Sequence, residues 1–175
     1  MRIRIHELGK IQAEWKAFTE QEDGSGLPVT VVYTTQEGTL AALKLVAALT
    51  KDLQARLGLI VTEVVPFRLP LDQPRVAVEF LKERQDALVS KAGLDGEDIR
   101  VQICVCRDTK ETLGRLLPTP SLVVLGGRRS LWPSSEQRLE RFLSRLGHQV
   151  IFVDAEAYKP ANEAGPLIAK AWRAK

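Results

Sequence analysis

Short apolar runs alternate with longer amphipathic segments along most of this chain, and that alternation limits the folds open to it. Five runs are rich in apolar and β-branched residues, as β-strands are: Val29–Thr35, Leu59–Val65, Ile99–Cys106, Leu122–Leu125 and Gln149–Val153. Four segments between them repeat apolar residues near helical spacing and predict helices: Thr39–Leu57, Arg75–Ala92, Lys110–Leu117 and Ser135–Leu146. Strands joined by helices in this order pair in parallel through right-handed crossovers, with helices on both faces of the sheet. The sequence therefore predicts an α/β fold with an open five-stranded parallel sheet.

The alternating region spans residues 27–154 and is flanked by an extension at each end. One domain is expected in a chain of 175 residues. The N-terminal extension, residues 1–26, has one apolar helix face, formed by Ile11, Trp15 and Phe18. This face could dock on its own domain, on a second copy of the chain or on another protein; the first is favoured, because single apolar stripes usually pack on their own domain. The C-terminal tail, residues 155–175, is interpreted as loose or as a second docking segment.

Charge and composition exclude several classes of protein. A net charge of +3, from 25 basic and 22 acidic residues, is too small to indicate nucleic-acid binding without a basic cluster. The N-terminal segment lacks the apolar core of a signal peptide, and no stretch approaches the roughly 20 apolar residues of a membrane span. We therefore expect a cytoplasmic protein that binds no nucleic acid and does not cross a membrane.

The stretch Ser121–Ser135 is the first place to look for a binding site. It contains a buried strand, a glycine pair, a basic turn and a serine that can cap the next helix. Ligands of open α/β sheets bind where a strand ends beside a helix N-terminus, since free N–H groups and the helix dipole attract anions there. The candidate anion-binding residues are Gly126, Gly127, Arg128, Arg129, Ser130, Ser134 and Ser135. The alternative interpretation is a tight strand-to-helix turn with two solvated arginines.

The order and lengths of these elements resemble the universal stress protein family over about residues 28–154. The resemblance rests on the short helix in CRDTKETLGRLL, the strand ending VVLGG before a helix, and the last strand VIFVD. It implies the adenine nucleotide α hydrolase-like fold, with strand order 3-2-1-4-5, and a homodimer formed through the last strand. In that topology Thr34 and Thr35, which end the first strand, face the same crevice as the glycine pair and join the candidate binding residues.

The glycine pattern of the family's ATP-binding members is broken in this chain. That pattern follows the fourth strand as Gly, two residues, Gly, nine residues, Gly and Ser or Thr, with an Asp ending the first strand. If the pattern starts at Gly126, its second glycine falls on Arg129; if it starts at Gly127, that glycine falls on Ser130. The Asp of the pattern falls near Thr34. Side chains with a Cβ at such positions obstruct the approach of the backbone to phosphates. The resemblance therefore implies a member outside the ATP-binding branch.

The cysteines, the histidines and Glu63 could in principle take part in chemistry, but a structural role is at least as consistent with the sequence. Cys104 and Cys106 lie two apart on a predicted strand, which is poor spacing for a disulfide or a metal site and favours buried thiols. His6 and His148 are the only histidines, and neither has a catalytic partner at a recognisable spacing. Glu63, in an otherwise apolar strand, either lines the crevice or points to solvent. We find no metal site and no complete catalytic constellation in the sequence.

Three tryptophans are available for packing or for stacking on a ligand. Trp132 follows the basic turn and could stack on a base, whereas Trp15 and Trp172 lie in the two extensions. Packing is favoured for all three.

Together these patterns predict a cytoplasmic, non-enzymatic, homodimeric binding or regulatory domain that acts in a stress response. The first alternative is a nucleotide-binding stress protein that uses the GGRRS turn for ATP or another adenine nucleotide, with slow hydrolysis. The second is a regulatory domain of a membrane transporter or kinase that makes contact through its N-terminal helix.

Overall fold

The computed structural model describes residues 4–5, 8–20, 26–53, 55–71, 78–94, 99–130 and 132–158. The described strands are β1 (Arg4–Ile5), β2 (Pro28–Val32), β3 (Arg56–Val64), β4 (Ile99–Cys106), β5 (Leu122–Gly127) and β6 (Gln149–Asp154). The described helices are α1 (Leu8–Glu20), α2 (Gln36–Leu53), α3 (Val78–Lys91), α4 (Thr109–Leu116) and α5 (Ser135–Arg145). The predicted start of α3 at Arg75, His6, Trp172 and the tail from residue 159 onwards lie outside the described residues.

The described strands form one parallel sheet in the order β1-β4-β3-β2-β5-β6. The five predicted strands therefore lie in the order 3-2-1-4-5, and the predicted α/β fold is confirmed. Strand β1 was not predicted. Its two residues, Arg4 and Ile5, pair with Gln102 and Ile103 at the outer edge of β4. Two residues are too few to produce a periodic pattern, so sequence alone does not reveal such a strand.

The helices cover both faces of the sheet and enclose two separate apolar cores. On one face α2 and α3 cover inward residues such as Val29 and Val31. On the other face α1, α4 and α5 cover residues such as Val32, Val123 and Leu125. Because successive strand residues point to opposite faces, burial on both sides explains why these strands read as uninterrupted apolar runs.

Helix α1 packs on its own domain. The indole ring of Trp15 is fully buried, and its centroid lies 5.1 Å from that of the Phe18 ring. The indole sits directly over Gly58 in β3, where an added Cβ would overlap the ring. The guanidinium groups of Arg56 and Arg100 lie 5.7 and 5.6 Å from the Phe18 centroid. Trp15 and Phe18, the described side chains of this apolar face, thus meet the domain's own sheet, which is the interpretation that the sequence favoured.

The boundaries of most elements differ by a few residues from those predicted, and two of the differences have clear causes. Helix α2 begins at Gln36 and not at Thr39, because the Thr35 hydroxyl accepts a hydrogen bond from the Gly38 N–H at 3.1 Å and caps the helix earlier. Strand β3 begins at Arg56 and not at Leu59, since its first residues pair with the start of β2. Local propensity does not report such pairings between distant segments.

Candidate functional site

A cavity of about 470 Å³ lies at the carboxyl edge of the sheet, between the ends of β2, β3 and β4 and the first turns of α4 and α5. The strand ends contribute Tyr33, Thr34, Thr62 and Val64 to its lining. The connection between β4 and α4 contributes Arg107 and Asp108, the first turn of α4 contributes Thr109 and Lys110, and α5 contributes Ser135, Glu136 and Leu139. The volume is within the range of small-molecule sites, and open α/β sheets bind ligands at this edge.

The connection between β4 and α4 is held by a cap and a hydroxyl pair. Asp108 caps α4, with its Oδ1 accepting a hydrogen bond from the Glu111 N–H at 2.7 Å. The Thr112 hydroxyl donates to the Asp108 carbonyl oxygen at 2.7 Å. The hydroxyls of Thr62 and Thr109 lie 3.2 Å apart and join the first turn of α4 to β3. This wall of the cavity is therefore fixed without a ligand.

Arg107 ties the loop after β3 to the end of β4. Its Nη1 donates to the carbonyl oxygens of Val65, at 2.9 Å, and Pro66, and its Nη2 donates to that of Leu69 at 2.8 Å. The guanidinium also lies 5.4 Å from the centroid of the Phe67 ring, which is 87% exposed. Three loop carbonyls thus occupy three of the five N–H donors of this cation, and an exposed aromatic ring is held beside a residue of the cavity lining.

The start of α5 places a carboxylate in the cavity wall. Ser134 caps the helix in a reciprocal pair with Gln137, with hydrogen bonds of 3.2 and 3.0 Å. The Ser135 hydroxyl donates to Glu136 Oε1 at 3.0 Å. Burial alone would raise the pKa of the Glu136 carboxyl, but hydrogen bonds from Ser134, its own N–H and Ser135 together lower that pKa. Glu136 is therefore ionised at neutral pH.

Of the predicted binding residues, Thr34 and Ser135 line the cavity. The Thr34 hydroxyl donates to the Gly126 carbonyl oxygen, and Thr35 caps α2. Gly126 is needed for packing, because an added Cβ would overlap the carbonyl of Gly38 in the first turn of α2. Close approach of α2 to β5 thus accounts for one of the two glycines.

Most of the other predicted residues of this turn contact side chains of the same protein. A Cβ added to Gly127 would lie 2.9 Å from the Glu136 side chain. Arg128 pairs with Glu37 at 3.1 Å and with Glu156 at 3.3 Å. The Arg129 guanidinium lies 5.2 Å from the centroid of the Phe152 ring, Ser130 is exposed, and Ser134 is engaged in its cap. The predicted anion site in this turn stays a prediction, and the cavity lies beside it.

Sequence reasoning missed most of the cavity, although a signal was present. The tripeptide Arg107-Asp108-Thr109 follows a buried strand and precedes a helix, as the glycine turn does. Polar residues in that position end a strand at the carboxyl edge and can face a ligand. Thr62, by contrast, lies inside an apolar strand, where nothing in the sequence marks its contact with Thr109.

The two cysteines are buried, as the sequence favoured. Burial, and then the proximity of Cys106, raises the pKa of the Cys104 thiol to about 12, and burial also raises the pKa of Cys106. Both thiols are therefore protonated and poorly nucleophilic at neutral pH. Glu63 is half-buried and points away from the cavity, since its neighbours Thr62 and Val64 are the residues of β3 that line it.

His148 and Trp132 have unusual surroundings for their residue types: the histidine is buried and the tryptophan is exposed. His148 is buried, neither ring nitrogen has a hydrogen-bond partner among the described residues, and burial lowers its pKa. Trp132 is 85% exposed, so the packing role favoured for it is wrong, whereas that favoured for Trp15 is confirmed.

The fold and the cavity define a class of protein: an α/β protein with a polar cleft at the carboxyl edge of a parallel sheet. No protein-family model matches the chain, and no curated protein shows significant similarity to it. Within the described part of the chain, no group of three or more His, Cys, Asp or Glu side chains could hold a metal ion. No helix among the described residues is long and apolar enough to span a membrane.

Proposed function

We propose that this protein is a non-enzymatic regulatory domain, of the kind found among universal stress proteins, that binds a small ligand in the cavity at the carboxyl edge. The observation that supports the proposal is the cavity itself. Its volume of about 470 Å³ suits a small molecule, and a set of polar side chains converges on it from three strand ends and two helix starts. Such convergence is typical of a binding site on an open α/β sheet.

The chemistry of the lining supports binding and not catalysis. The hydroxyls of Thr62 and Thr109 pair with each other, and neither has a carboxylate or imidazole hydrogen-bond partner among the residues that the structure describes. The Ser135 hydroxyl does meet a carboxylate, that of Glu136, but hydrogen bonds lower the pKa of that group. A lowered pKa makes Glu136 a weak general base at neutral pH.

We propose in addition that the protein acts in the cytoplasm, in a stress response, as a homodimer formed through β6. In the described sheet, β6 is an edge strand that pairs with β5 alone. Its outer backbone groups can therefore pair with the same strand of a second copy. The alternative contact through α1 receives no such support, because Trp15 and Phe18 are buried against the chain's own sheet.

The rival proposal is that the GGRRS turn binds ATP or another adenine nucleotide. Arg128 and Arg129 are exposed and could reach a phosphate. A phosphate there would have to compete with Glu37 and Glu156, which both pair with Arg128. We therefore favour the cavity as the binding site.

Titration of the purified protein tests the proposal, with melting temperature and heat of binding as the measurements. The ligands are ATP, ADP, AMP, cyclic nucleotides and nucleosides, each with and without Mg²⁺. A ligand at 100 times its dissociation constant should stabilise the fold by about 2.7 kcal/mol. Absence of any shift across this panel would contradict a ligand-binding role.

A pair of variants locates the site. Ser135→Phe places a ring in the cavity wall and should abolish the shift, because Ser135 lines the cavity and is exposed. Ser144→Phe makes the same change at an exposed position near the other end of α5 and should leave the shift intact. Equal shifts in both variants would place the ligand outside the cavity.

A further inference from the structure

The hydroxyl groups around the cavity have already given most of their hydrogen atoms to the protein. The Thr34 hydroxyl donates to the Gly126 carbonyl oxygen, and the Ser135 hydroxyl donates to Glu136. Thr62 and Thr109 share one hydrogen bond, which uses one of their two hydrogen atoms. A hydroxyl has one donor and two acceptor positions, so these groups face a ligand mainly as acceptors.

Two carboxylates add further acceptors at the helix starts. Asp108 accepts the cap hydrogen bond through one oxygen, and the Glu136 carboxylate accepts from Ser134, from Ser135 and from its own N–H. A carboxylate has about four acceptor positions, so both groups retain capacity for a ligand. They also occupy the positive ends of the dipoles of α4 and α5, where a bound anion would otherwise lie.

The two cations of the lining, Arg107 and Lys110, are balanced by its two carboxylates, Asp108 and Glu136. Arg107 directs three of its five N–H donors to the loop carbonyls of Val65, Pro66 and Leu69. The Lys110 ammonium lies 5.8 Å from the centroid of the Phe142 ring on the surface of α5. The side chains of the lining therefore carry no net charge that would attract a phosphate, and a phosphate in the cavity would meet two carboxylates.

Two exposed apolar side chains, Val64 in the lining and Phe67 beside Arg107, complement the polar groups, and we call this pair the apolar mouth. Val64 lines the cavity and is 49% exposed, and Phe67 is 87% exposed three residues further on. The stacking of Arg107 on Phe67 and its bonds to the loop hold this aromatic ring in place. Large exposed apolar groups beside a polar cavity offer a surface for a planar ring.

We propose that the cavity selects an uncharged ligand whose hydroxyl groups donate to Glu136 and Asp108 and whose planar ring rests on Val64 and Phe67. A nucleoside has this chemistry, whereas its phosphorylated form does not fit the acceptor-rich lining. This inference rests on the proposed function, because it names the class of ligand for the same site. A free sugar shares the hydroxyl chemistry but lacks the ring.

Isothermal titration of the full chain tests the selection directly, with adenosine, uridine, their 5′-monophosphates and D-ribose as probes. Each nucleoside should bind at least about tenfold more tightly than its monophosphate, which corresponds to about 1.4 kcal/mol. D-Ribose should bind more weakly than either nucleoside, because it leaves the apolar mouth uncovered.

Charge-neutralising variants test the role of the carboxylates. Glu136→Gln should weaken nucleoside binding about tenfold, since a hydrogen bond to a charged group is replaced by a neutral one, and should narrow the preference over the monophosphate. Glu140→Gln, one turn later on α5, makes the same change outside the cavity lining and should do neither. Asp108→Asn provides a second test that retains the cap, because Asn and Asp cap helices equally well.

Three outcomes would overturn the inference. A monophosphate that binds as tightly as its nucleoside would refute the selection while leaving the proposed binding function intact. D-Ribose binding as tightly as the nucleosides would refute the assignment of the apolar mouth to a planar ring. No binding by any probe or nucleotide would refute the inference and the proposed function together.

Discussion

Two connections at the same edge of the sheet, Arg107–Asp108 between β4 and α4 and Arg128–Ser134 between β5 and α5, differ in what their polar groups contact. Both follow a buried strand, both contain arginine, and both end in a residue that caps a helix. In the second, Arg128 meets two carboxylates of the same chain, and the glycines before it are packed against α2 and α5. In the first, Arg107 holds a loop open and a cavity remains beside it.

The difference shows that the composition of a turn does not identify a site. Glycine and arginine after a strand are as consistent with close backbone packing and internal ion pairs as with a bound phosphate. What distinguishes the cavity is that the fold leaves its volume unfilled and uses only part of the acceptor capacity of its lining. The following predictions test this distinction, starting with the largest expected effect.

Gly126→Ala should destabilise the fold by about 3 kcal/mol or more, because the new methyl group would overlap the Gly38 carbonyl and separate α2 from β5. Denaturant unfolding measures the effect. Gly114→Ala is the control: its Cβ would lie 3.4 Å from a Leu146 methyl group, so it should stabilise α4 by about 0.5–1 kcal/mol. A neutral Gly126→Ala would mean that the glycine is kept for another reason, such as a ligand.

Arg107→Met should cost about 2 kcal/mol of stability, since the carbonyls of Val65, Pro66 and Leu69 would lose a charged donor. Methionine keeps much of the apolar length of the side chain, so the loss reports on hydrogen bonding. Proteolysis of the loop at residues 65–69 should also accelerate. An unchanged unfolding free energy would show that the loop is held by other contacts.

The double variant Arg128→Ala with Arg129→Ala should change stability by less than about 1 kcal/mol, because its ion pairs and ring contact are exposed. Its affinity for any ligand of the cavity should equal that of the original protein. Calorimetric titration decides between the two candidate sites. A loss of nucleotide affinity in this variant would favour the rival proposal that the GGRRS turn binds phosphate.

His148 should make the fold sensitive to mild acid, which is the smallest of these effects. Burial lowers the pKa of His148, so the unfolded chain takes up a proton near pH 6.5 while the folded chain resists it. The free energy of unfolding should therefore be highest above pH 6.5 and fall as the pH drops from there towards the folded-state pKa. His148→Leu should flatten this part of the profile, and an equally steep profile in the variant would exclude His148 as its cause.

The sequence by itself determined the class of fold. The uninterrupted apolar runs in β2 to β6 require burial on both faces, and the amphipathic segments between them require crossovers, so the parallel sheet follows from local patterns. Capping signals are similarly local, and Ser134 followed by Gln137 at the third helical position identifies the start of α5. Of the candidate binding residues, Thr34 and Ser135 were found because they end a strand and begin a helix.

Only the tertiary structure decided which polar groups are used by the fold and which remain for a ligand. The overlap of Gly126 with Gly38, the burial of Trp15 over Gly58, and the pairing of Arg128 with Glu37 each join segments far apart in the chain. The hydroxyl pair of Thr62 and Thr109 and the hydrogen bonds from Arg107 to the loop after β3 also join distant segments. Periodicity and propensity report on neighbours along the chain, whereas a binding site consists of the groups that distant segments leave without a partner.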